Sequence, residues 1–342
     1  MKHNQSTMRY YAERVARSVL TVWAAVTLTF GILRLMPGGP LVQLEAQLTR
    51  RNMEPEQIDQ QIALYRDRLN LVDGPIHEQY IQYVAQLAQG NLGQSIQDGE
   101  PVGQMVAEAL PWTVFVMTSA TVLIFAIAIV WGALTAYKEG SRFDKVSSVV
   151  GVLLGSIPFY VFAFLLLMVL AYQNSLFPTS GRLTPLTEPE LSIGFVIDAL
   201  HHAALPIASV VIVQAGLQML AMRGNSIQVL GEDYVRVARL RGLSDRRIST
   251  RYVARNAILP MYTGFLTLIG FNIGSSVILE QVFTYRGIGY VMFDALEVQD
   301  YSVLMGVFLV FTVILVVAVL IADLTYSWVD PRVKSGDSSE AY

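Results

Sequence analysis

The sequence predicts an all-α, polytopic membrane protein with six transmembrane helices. Of its 342 residues, 53% are hydrophobic and 15% are charged, whereas soluble domains average about 45–50% and about 25%. A helix needs about 20 residues to cross a hydrocarbon core of about 30 Å, and six apolar runs are long enough. These runs are Val15–Met36, Thr113–Tyr137, Val146–Ala171, Ala203–Ala221, Met261–Phe283 and Val303–Trp328. The chain has no cysteine, which excludes disulfides and cysteine nucleophiles.

The basic residues predict which connections face the cytoplasm. Eight arginines lie in the connection 222–260, between the fourth and fifth spans. Three bases lie at the start of the first span and three follow the second: Arg9, Arg14, Arg17, Lys138, Arg142 and Lys145. The third-to-fourth and fifth-to-sixth connections carry one base each, Arg182 and Arg286. Under the positive-inside rule, segment 1–14, connection 222–260 and tail 329–342 are therefore expected in the cytoplasm.

The segment 37–112, between the first two spans, is then predicted to form a small helical cap outside the membrane. It carries ten acidic residues against four arginines. Behind Pro55, apolar residues such as Ile58 and Ile62 recur at helical spacing, and a similar pattern follows Ile76. We expect two short amphipathic helices here, with a solvated acidic surface.

A charged stretch interrupts the apolar pattern between the fourth and fifth spans. From Tyr234 to Pro260 it reads YVRVARLRGLSDRRISTRYVARNAILP, with seven arginines and one aspartate. We interpret it as two short helices that turn at Gly242 and Ser244. Along the second helix one basic stripe recurs every four residues, at Arg247, Arg251 and Arg255. These properties are compatible with docking on another protein and with attraction to anionic lipid headgroups, worth about 1 kcal/mol per base.

Six segments of the sequence resemble, in the same order, ABC importer permeases of the dipeptide, oligopeptide and nickel class. They are LRLMPGGP, GNLGQSIQDGEPVGQMVAEALPWT, GSIPFY, DYVRVARLRGLSDRRISTRYVARNAILP, LEQVFTYRGIGY and DLTYSWVDPRV. The resemblance extends from about Met8 to Val333. It implies the transmembrane-domain fold of type I ABC importers, with 113–328 as the permease core, in the inner membrane of a prokaryote.

The resemblance also implies a division of labour between chains. This chain would be a non-catalytic subunit, without a cofactor or metal, in an importer of peptides or a similar small solute. Its expected partners are a second related permease, two ATP-binding subunits and an external solute-binding protein, and no nucleic acid. ATP and magnesium would bind to the ATPase subunits, since this sequence contains no G-x-x-x-x-G-K-[ST] phosphate loop.

Two groups of residues are expected to serve this function. The resemblance identifies the charged stretch as the cytoplasmic hairpin that couples to the ATPase. The coupling residues are expected to be Asp233, Tyr234, Ala238, Gly242, Leu243, Arg247, Arg251 and Pro260. In the fifth span, four polar or small residues are candidates for the pathway lining or for helix packing: Gly270, Asn272, Gly274 and Ser275.

The residues themselves leave two other classes of function open. Asp323, inside the last span, suits a proton-coupled secondary transporter. A carboxylate at membrane depth is energetically costly, so it is a functional candidate by default. Ser156, with His201 or His202 as its base, suits an intramembrane serine protease. Ser156 and the histidines are, however, predicted to differ in depth by about 10–15 Å, which argues against the protease.

Overall fold

The computed structural model describes residues 2–35, 45, 48–49, 53–68, 75–185, 192–244 and 247–329. Within these ranges the regular elements are all helices, and the one β-bridge pairs Gln94 with Pro101. The first six helices are α1 Lys2–Leu35, α2 Pro55–Arg68, α3 Ile76–Ala88, α4 Val102–Tyr137, α5 Arg142–Gly155 and α6 Phe159–Leu166. The next six are α7 Ile193–Leu230, α8 Asp233–Leu240, α9 Leu259–Gly274, α10 Ser276–Val282, α11 Ile288–Glu297 and α12 Tyr301–Val329. The predicted all-α fold is confirmed.

Length and composition allow four helices to cross a membrane unaided: α1, α4, α7 and α12. Two bent pairs pass the same test when their members are taken together. One pair is α5 with Phe159–Gln173, bent by 90°, and the other is Arg251–Tyr262 with Gly264–Gly274, bent by 42°. The described residues therefore hold four spans, or six if each bent pair crosses the bilayer once.

The 90° bend lies at a proline within the predicted third span. Helix α5 ends at Gly155, and Pro158 is the N-cap of α6, with φ −58° and ψ 139°. Proline lacks an N–H group and disfavours helical geometry in the residue before it, so α5 cannot continue through this position. Beyond α6, the segment Leu167–Gln173 winds as a π-helix.

The described chain divides into two compact units. The first contains Val114–Tyr285, and in it α5 and α7 touch through their backbones, because a Cβ on Gly216 would lie 2.8 Å from the Gly151 carbonyl oxygen. An ion pair reinforces this contact. Arg223 on α7 donates to both oxygens of Asp144, which also accepts the N–H of Gly140. Helices α5 and α7 are therefore held together at two places, the close contact between Gly151 and Gly216 and the ion pair at the start of α5.

The second unit combines Ala12–Thr113 with Arg286–Val317. Its core joins the start of α4 to α11 and α12, through residues that include Val102, Ile288 and Val303. Asp300 caps α12 through the N–H of Val303. The same carboxylate accepts hydrogen bonds from the loop between α3 and α4, at 2.7 Å from Ser95 Oγ and 2.8 Å from Ile96 N. One buried aspartate therefore fixes the loop that leads into α4.

Helices α2 and α3 lie where the sequence predicts helices between the first two spans. Tyr80 of α3 shares a 2.7 Å hydrogen bond with Thr27 of α1, and its ring meets Phe30 edge-on at 5.4 Å. Burial raises the pKa of the neighbouring Tyr83 to about 12. Helix α3 thus packs on α1. The motif after the first span, in 36–44, and the tail 330–342 lie outside the described residues.

Candidate functional site

The charged stretch forms a compact hairpin, 231–258, between α7 and α9. Its first limb is α8, and its second limb is the π-helical segment Ile248–Ala254, followed by the short helix Arg255–Ala257. Four buried apolar side chains pack between the limbs: Val235, Ala238, Ile248 and Val253. The hairpin therefore has its own small core and is more than a solvated loop.

Gly242 makes the turn after α8. Its φ is +69°, in the left-handed region that glycine adopts without strain, as predicted. The N–H of Leu243 donates to the carbonyl of Ala238, and the N–H of Gly242 donates to that of Arg239. This pair of bonds is the Schellman arrangement, and Leu243 packs on the hairpin core as that arrangement favours.

Helix α8 also carries apolar side chains that the hairpin core does not cover. Tyr234, Val237 and Leu240 recur every third residue and are 40%, 52% and 81% exposed. We call these three residues the exposed ridge. Ala238, one of the predicted coupling residues, is 2% exposed and belongs to the hairpin core. The ridge could have been found from the sequence, because the eight residues of α8 include three apolar side chains at a spacing of three, in addition to those that pack in the hairpin core.

The remaining predicted coupling residues lie around the hairpin surface. Asp233 opens α8, and Arg247 and Arg251 are exposed on the second limb. Because residues 248–254 wind as a π-helix, the predicted α-helical register of the arginine stripe does not hold across them. Pro260 lies in the first turn of α9, where a missing N–H costs nothing.

Two side-chain amides brace the hairpin, one from α7 and one from within the hairpin itself. Asn225 of α7 donates to the carbonyl of Ala257 at 3.3 Å. Asn256 donates to the hydroxyl of Tyr234 at 3.0 Å and to the carbonyl of Tyr252 at 2.8 Å. The two limbs and the end of α7 are therefore joined by directional bonds as well as by apolar packing.

The four candidate residues of the fifth span differ in their surroundings. Gly270 is buried and Asn272 is only 1% exposed. Gly274 is exposed, with nothing within 4 Å of an added Cβ, and Ser275 is half-buried. The predicted face of small residues is thus divided, since its inner members are packed and Gly274 is open.

Asn272 joins three predicted spans through a polar network that the sequence did not reveal. Gln214 of α7 donates to Asn272 Oδ1 at 3.1 Å, and Asn272 Nδ2 donates to Thr121 Oγ1 of α4 at 3.0 Å. The Thr121 hydroxyl in turn donates to the Met117 carbonyl at 2.7 Å. We call Gln214, Asn272 and Thr121 the amide lock.

Sequence reasoning also missed a buried carboxylate at the end of the fifth span. Glu280 of α10 is 2% exposed. Burial raises the pKa of the nearby Tyr285, the negative charge of Glu280 raises it further, and Arg182 lowers it. A search for charged residues within the predicted spans would have found Glu280 in the fifth span as well as Asp323 in the sixth.

The residues of the alternative functions are not brought together as a catalytic site. The Ser156 hydroxyl donates to the Val152 carbonyl of its own helix. His201 Nε2 bonds to the Leu176 carbonyl and His202 Nδ1 to that of Asp198. No hydrogen bond between Ser156 and either histidine occurs in the described part of the chain, so the protease constellation is not formed there.

Comparison with known proteins identifies a family that matches these features. Residues 128–335 match the family described as "Binding-protein-dependent transport system inner membrane component". This match includes the hairpin, the amide lock residues of α7 and α9, and Glu280.

Similar proteins match along nearly their whole length. The oligopeptide transport system permease protein AppB of Bacillus subtilis is 33% identical over 95% of this chain and 99% of its own. The di/tripeptide transport system permease protein DppB of Pseudomonas aeruginosa is 31% identical, and the dipeptide transport system permease protein DppB of Escherichia coli K12 is 28% identical. Both alignments cover 96% of this chain and 99% of the relative. The chain therefore belongs to the family of binding-protein-dependent transport system inner membrane components, as a multi-pass permease subunit of an ABC importer.

Proposed function

We propose that this chain forms half of the pathway through which an ATP-driven importer carries peptides into the cell. The names of its relatives support the solute class, since they are permeases for oligopeptides, di- and tripeptides, or dipeptides. A second related permease completes the pathway, and an external binding protein delivers the solute.

ATP hydrolysis is performed by two separate ATP-binding subunits, and this chain contributes no catalytic residue. The absence of a phosphate-binding loop from its sequence supports this division. ATP and magnesium accordingly belong to those partners. The positions of the arginines support an orientation with both termini and the hairpin in the cytoplasm, where the ATPases are.

The exposed ridge of α8 is the surface that docks on an ATPase. Leu240 is 81% exposed and Val237 is 52% exposed, although the hairpin has a core that could have covered them. Burying such a side chain contributes about 1.5–3 kcal/mol, so a ridge held rigid by the Gly242 turn has a strong preference for an apolar groove. Asp233 at the start of α8 and the exposed Arg247 and Arg251 of the second limb supply polar contacts at the rim of the dock.

Transport follows if the nucleotide state of the ATPases biases two arrangements of the spans. The hairpin is suited to carry this bias, since it is continuous with α7 on one side and α9 on the other. Of the fifth-span candidates, Gly274 and Ser275 are the better pathway residues, because Gly270 and Asn272 are buried within the packed unit.

The docking proposal is tested by a charge placed on the ridge. Leu240→Asp should weaken binding of the ATPase subunits about tenfold or more, as loss of one buried leucine predicts. The matched control is Ile76→Asp on α3, where the native side chain is 68% exposed but lies far along the chain from the hairpin. The measurement is titration of the purified ATPase subunits against the permease pair in nanodiscs. Equal binding by the two variants would remove the ridge from the docking surface.

A further inference from the structure

The hairpin is the tip of a longer structure whose two arms are α7 and α9. Gln214 precedes the end of α7 at Leu230 by sixteen residues, and Asn272 follows the start of α9 at Leu259 by thirteen. At 1.5 Å per residue, the two amides lie about 24 Å and about 20 Å from the hairpin ends of their helices. They therefore meet at similar depths along the two arms.

The arms are joined at two levels. Near the hairpin, Asn225 Nδ2 of α7 donates to the Ala257 carbonyl that precedes α9. At the deeper level Gln214 Nε2 donates to Asn272 Oδ1 at 3.1 Å, and Asn272 Nδ2 lies 3.5 Å from Gln214 Oε1. Two arms linked at both levels cannot slide past each other without breaking directional bonds.

The deeper level also includes a third helix. Asn272 Nδ2 donates to Thr121 Oγ1 at 3.0 Å, and Thr121 is fully buried on α4. Asn272 is 1% exposed and Gln214 is half-buried. A buried amide left without its partner costs more than a simple lost bond, so the three side chains favour one arrangement of the helices strongly.

The helix of the second arm breaks directly beyond the lock. Helix α9 ends at Gly274, and α10 begins at Ser276 after one intervening residue. Gly274 has open space around it, and Ser275 Oγ donates to the Asn272 carbonyl at 3.2 Å. The hydroxyl of Ser276 is buried without a hydrogen-bond partner. The lock therefore holds the part of α9 that lies beyond its 42° bend between Tyr262 and Gly264, and the helix ends two residues after Asn272.

We propose that the amide lock makes the hairpin and its two arms one rigid lever, which ends at the break between Gly274 and Ser276. Gln214, Asn272 and Thr121 are positioning residues in this scheme, because they act on the solute only through the helices they hold. The proposal rests on the proposed function, since it assumes that the ATPase subunits dock on the hairpin and displace it when their nucleotide state changes.

The lever explains how displacement at the hairpin reaches the middle of the unit. With the lock intact, α7 and α9 move together, and the break allows α10 to change its angle to α9. Without the lock, the arms separate and displacement of the hairpin is absorbed locally. Transport per ATP hydrolysed then falls, while the ATPase still docks on an unchanged ridge.

The main test variant replaces both amides, as Gln214→Leu with Asn272→Leu. Exchanging both partners of a buried bond for apolar groups of similar size is often nearly neutral for stability. A purely structural role therefore predicts a variant that assembles and works normally. The lever predicts an assembled importer whose uptake per ATP falls about fivefold or more, the lower end of couplings between sites.

A conservative pair of single variants isolates the bond to α4. Thr121→Val removes the hydroxyl that accepts from Asn272, and Thr135→Val is its matched control. Thr135 is also fully buried on α4, but its hydroxyl donates only to the Trp131 carbonyl of its own helix. The lever predicts weaker coupling for Thr121→Val and normal coupling for Thr135→Val. If the double leucine variant does not assemble, this pair decides the question by the same assays.

The direct readout is the distance between the two arms. Spin labels are attached at Ala221→Cys on α7 and Phe271→Cys on α9, both exposed positions in a chain without native cysteine. The distance between the labels is measured by double electron–electron resonance in the assembled importer, with cysteine-free partners. The two states compared are the importer without nucleotide and the importer trapped with ATP and vanadate. The lever predicts one narrow distance distribution, equal in both states, which broadens or shifts in the double leucine variant.

Three outcomes overturn the lever. They are a distance that differs between the two states with the lock intact, a double leucine variant with the same narrow distribution as the native lock, and unchanged uptake per ATP. Failure of the proposed function looks different, because the ATPase subunits would then not copurify with the native chain at all.

Discussion

Gly242 allows the cost of a strained turn to be separated from the cost of a clash. Its φ of +69° is unfavourable for other residues, yet nothing lies within 4 Å of a Cβ added there. A substitution therefore meets open space, and only the backbone conformation is penalised. A left-handed conformation costs an L-residue about 1–2 kcal/mol, with asparagine the most tolerant and β-branched residues the least.

We expect docking of the ATPase to be weakened least by Gly242→Asn, more by Gly242→Ala and most by Gly242→Val. A penalty of about 1–2 kcal/mol lowers the population of the native turn about 5–30-fold when the alternatives are close in energy. If the ATPase binds only the native turn, its apparent Kd rises by the same factor for the valine variant. The spans do not depend on this turn, so insertion and thermal unfolding of the permease pair should change little.

The assay is titration of the ATPase subunits against the permease pair in nanodiscs. Gly224→Val on α7 is the control, since Gly224 also has open space around it but has no left-handed φ. It should leave the apparent Kd unchanged. Equal affinities for the asparagine and valine variants would refute the reasoning, because the turn would then not limit docking.

Three further predictions test other parts of the account. A cysteine at Gln60 should react with an impermeant thiol reagent from outside the cell and one at Ser244 should not; the opposite labelling would invert the orientation. Arg223→Leu should destabilise the permease by about 3–5 kcal/mol in reversible unfolding, because it leaves the buried carboxylate of Asp144 without its counter-charge, and an unchanged unfolding midpoint would contradict this. Gly216→Ala should cost about 1–3 kcal/mol in the same assay, because its Cβ would lie 2.8 Å from a backbone oxygen of α5, and a neutral result would mean that the helices part easily.

Local chemistry explains which parts of the fold were predictable from the sequence. The left-handed turn at Gly242 and the break at Pro158 follow from the conformational limits of single residues. Helices α2 and α3 follow from apolar residues at helical spacing. Each of these features depends on a few neighbouring residues, so one sequence is sufficient to find them.

Features that depend on distant residues were not predictable in the same way. Asn272 is visible as a polar residue at membrane depth, but Gln214 lies 58 positions and Thr121 lies 151 positions away. The side of α8 that faces the hairpin core depends on how the second limb packs, so the burial of Ala238, one of the predicted coupling residues, could not be read from the sequence of α8 alone. The π-helical winding of 248–254 has no distinct sequence pattern.

Uptake of peptide by the reconstituted importer tests the central claim most directly. The permease pair, its ATPase subunits and its binding protein are assembled in proteoliposomes, with radiolabelled alanyl-phenylalanine as the probe on the binding-protein side. The account predicts uptake only when ATP is supplied on the opposite side, with or without a proton gradient. Uptake driven by a proton gradient in the absence of ATP would contradict it, and would instead favour the ion-coupled transporter to which Asp323 pointed.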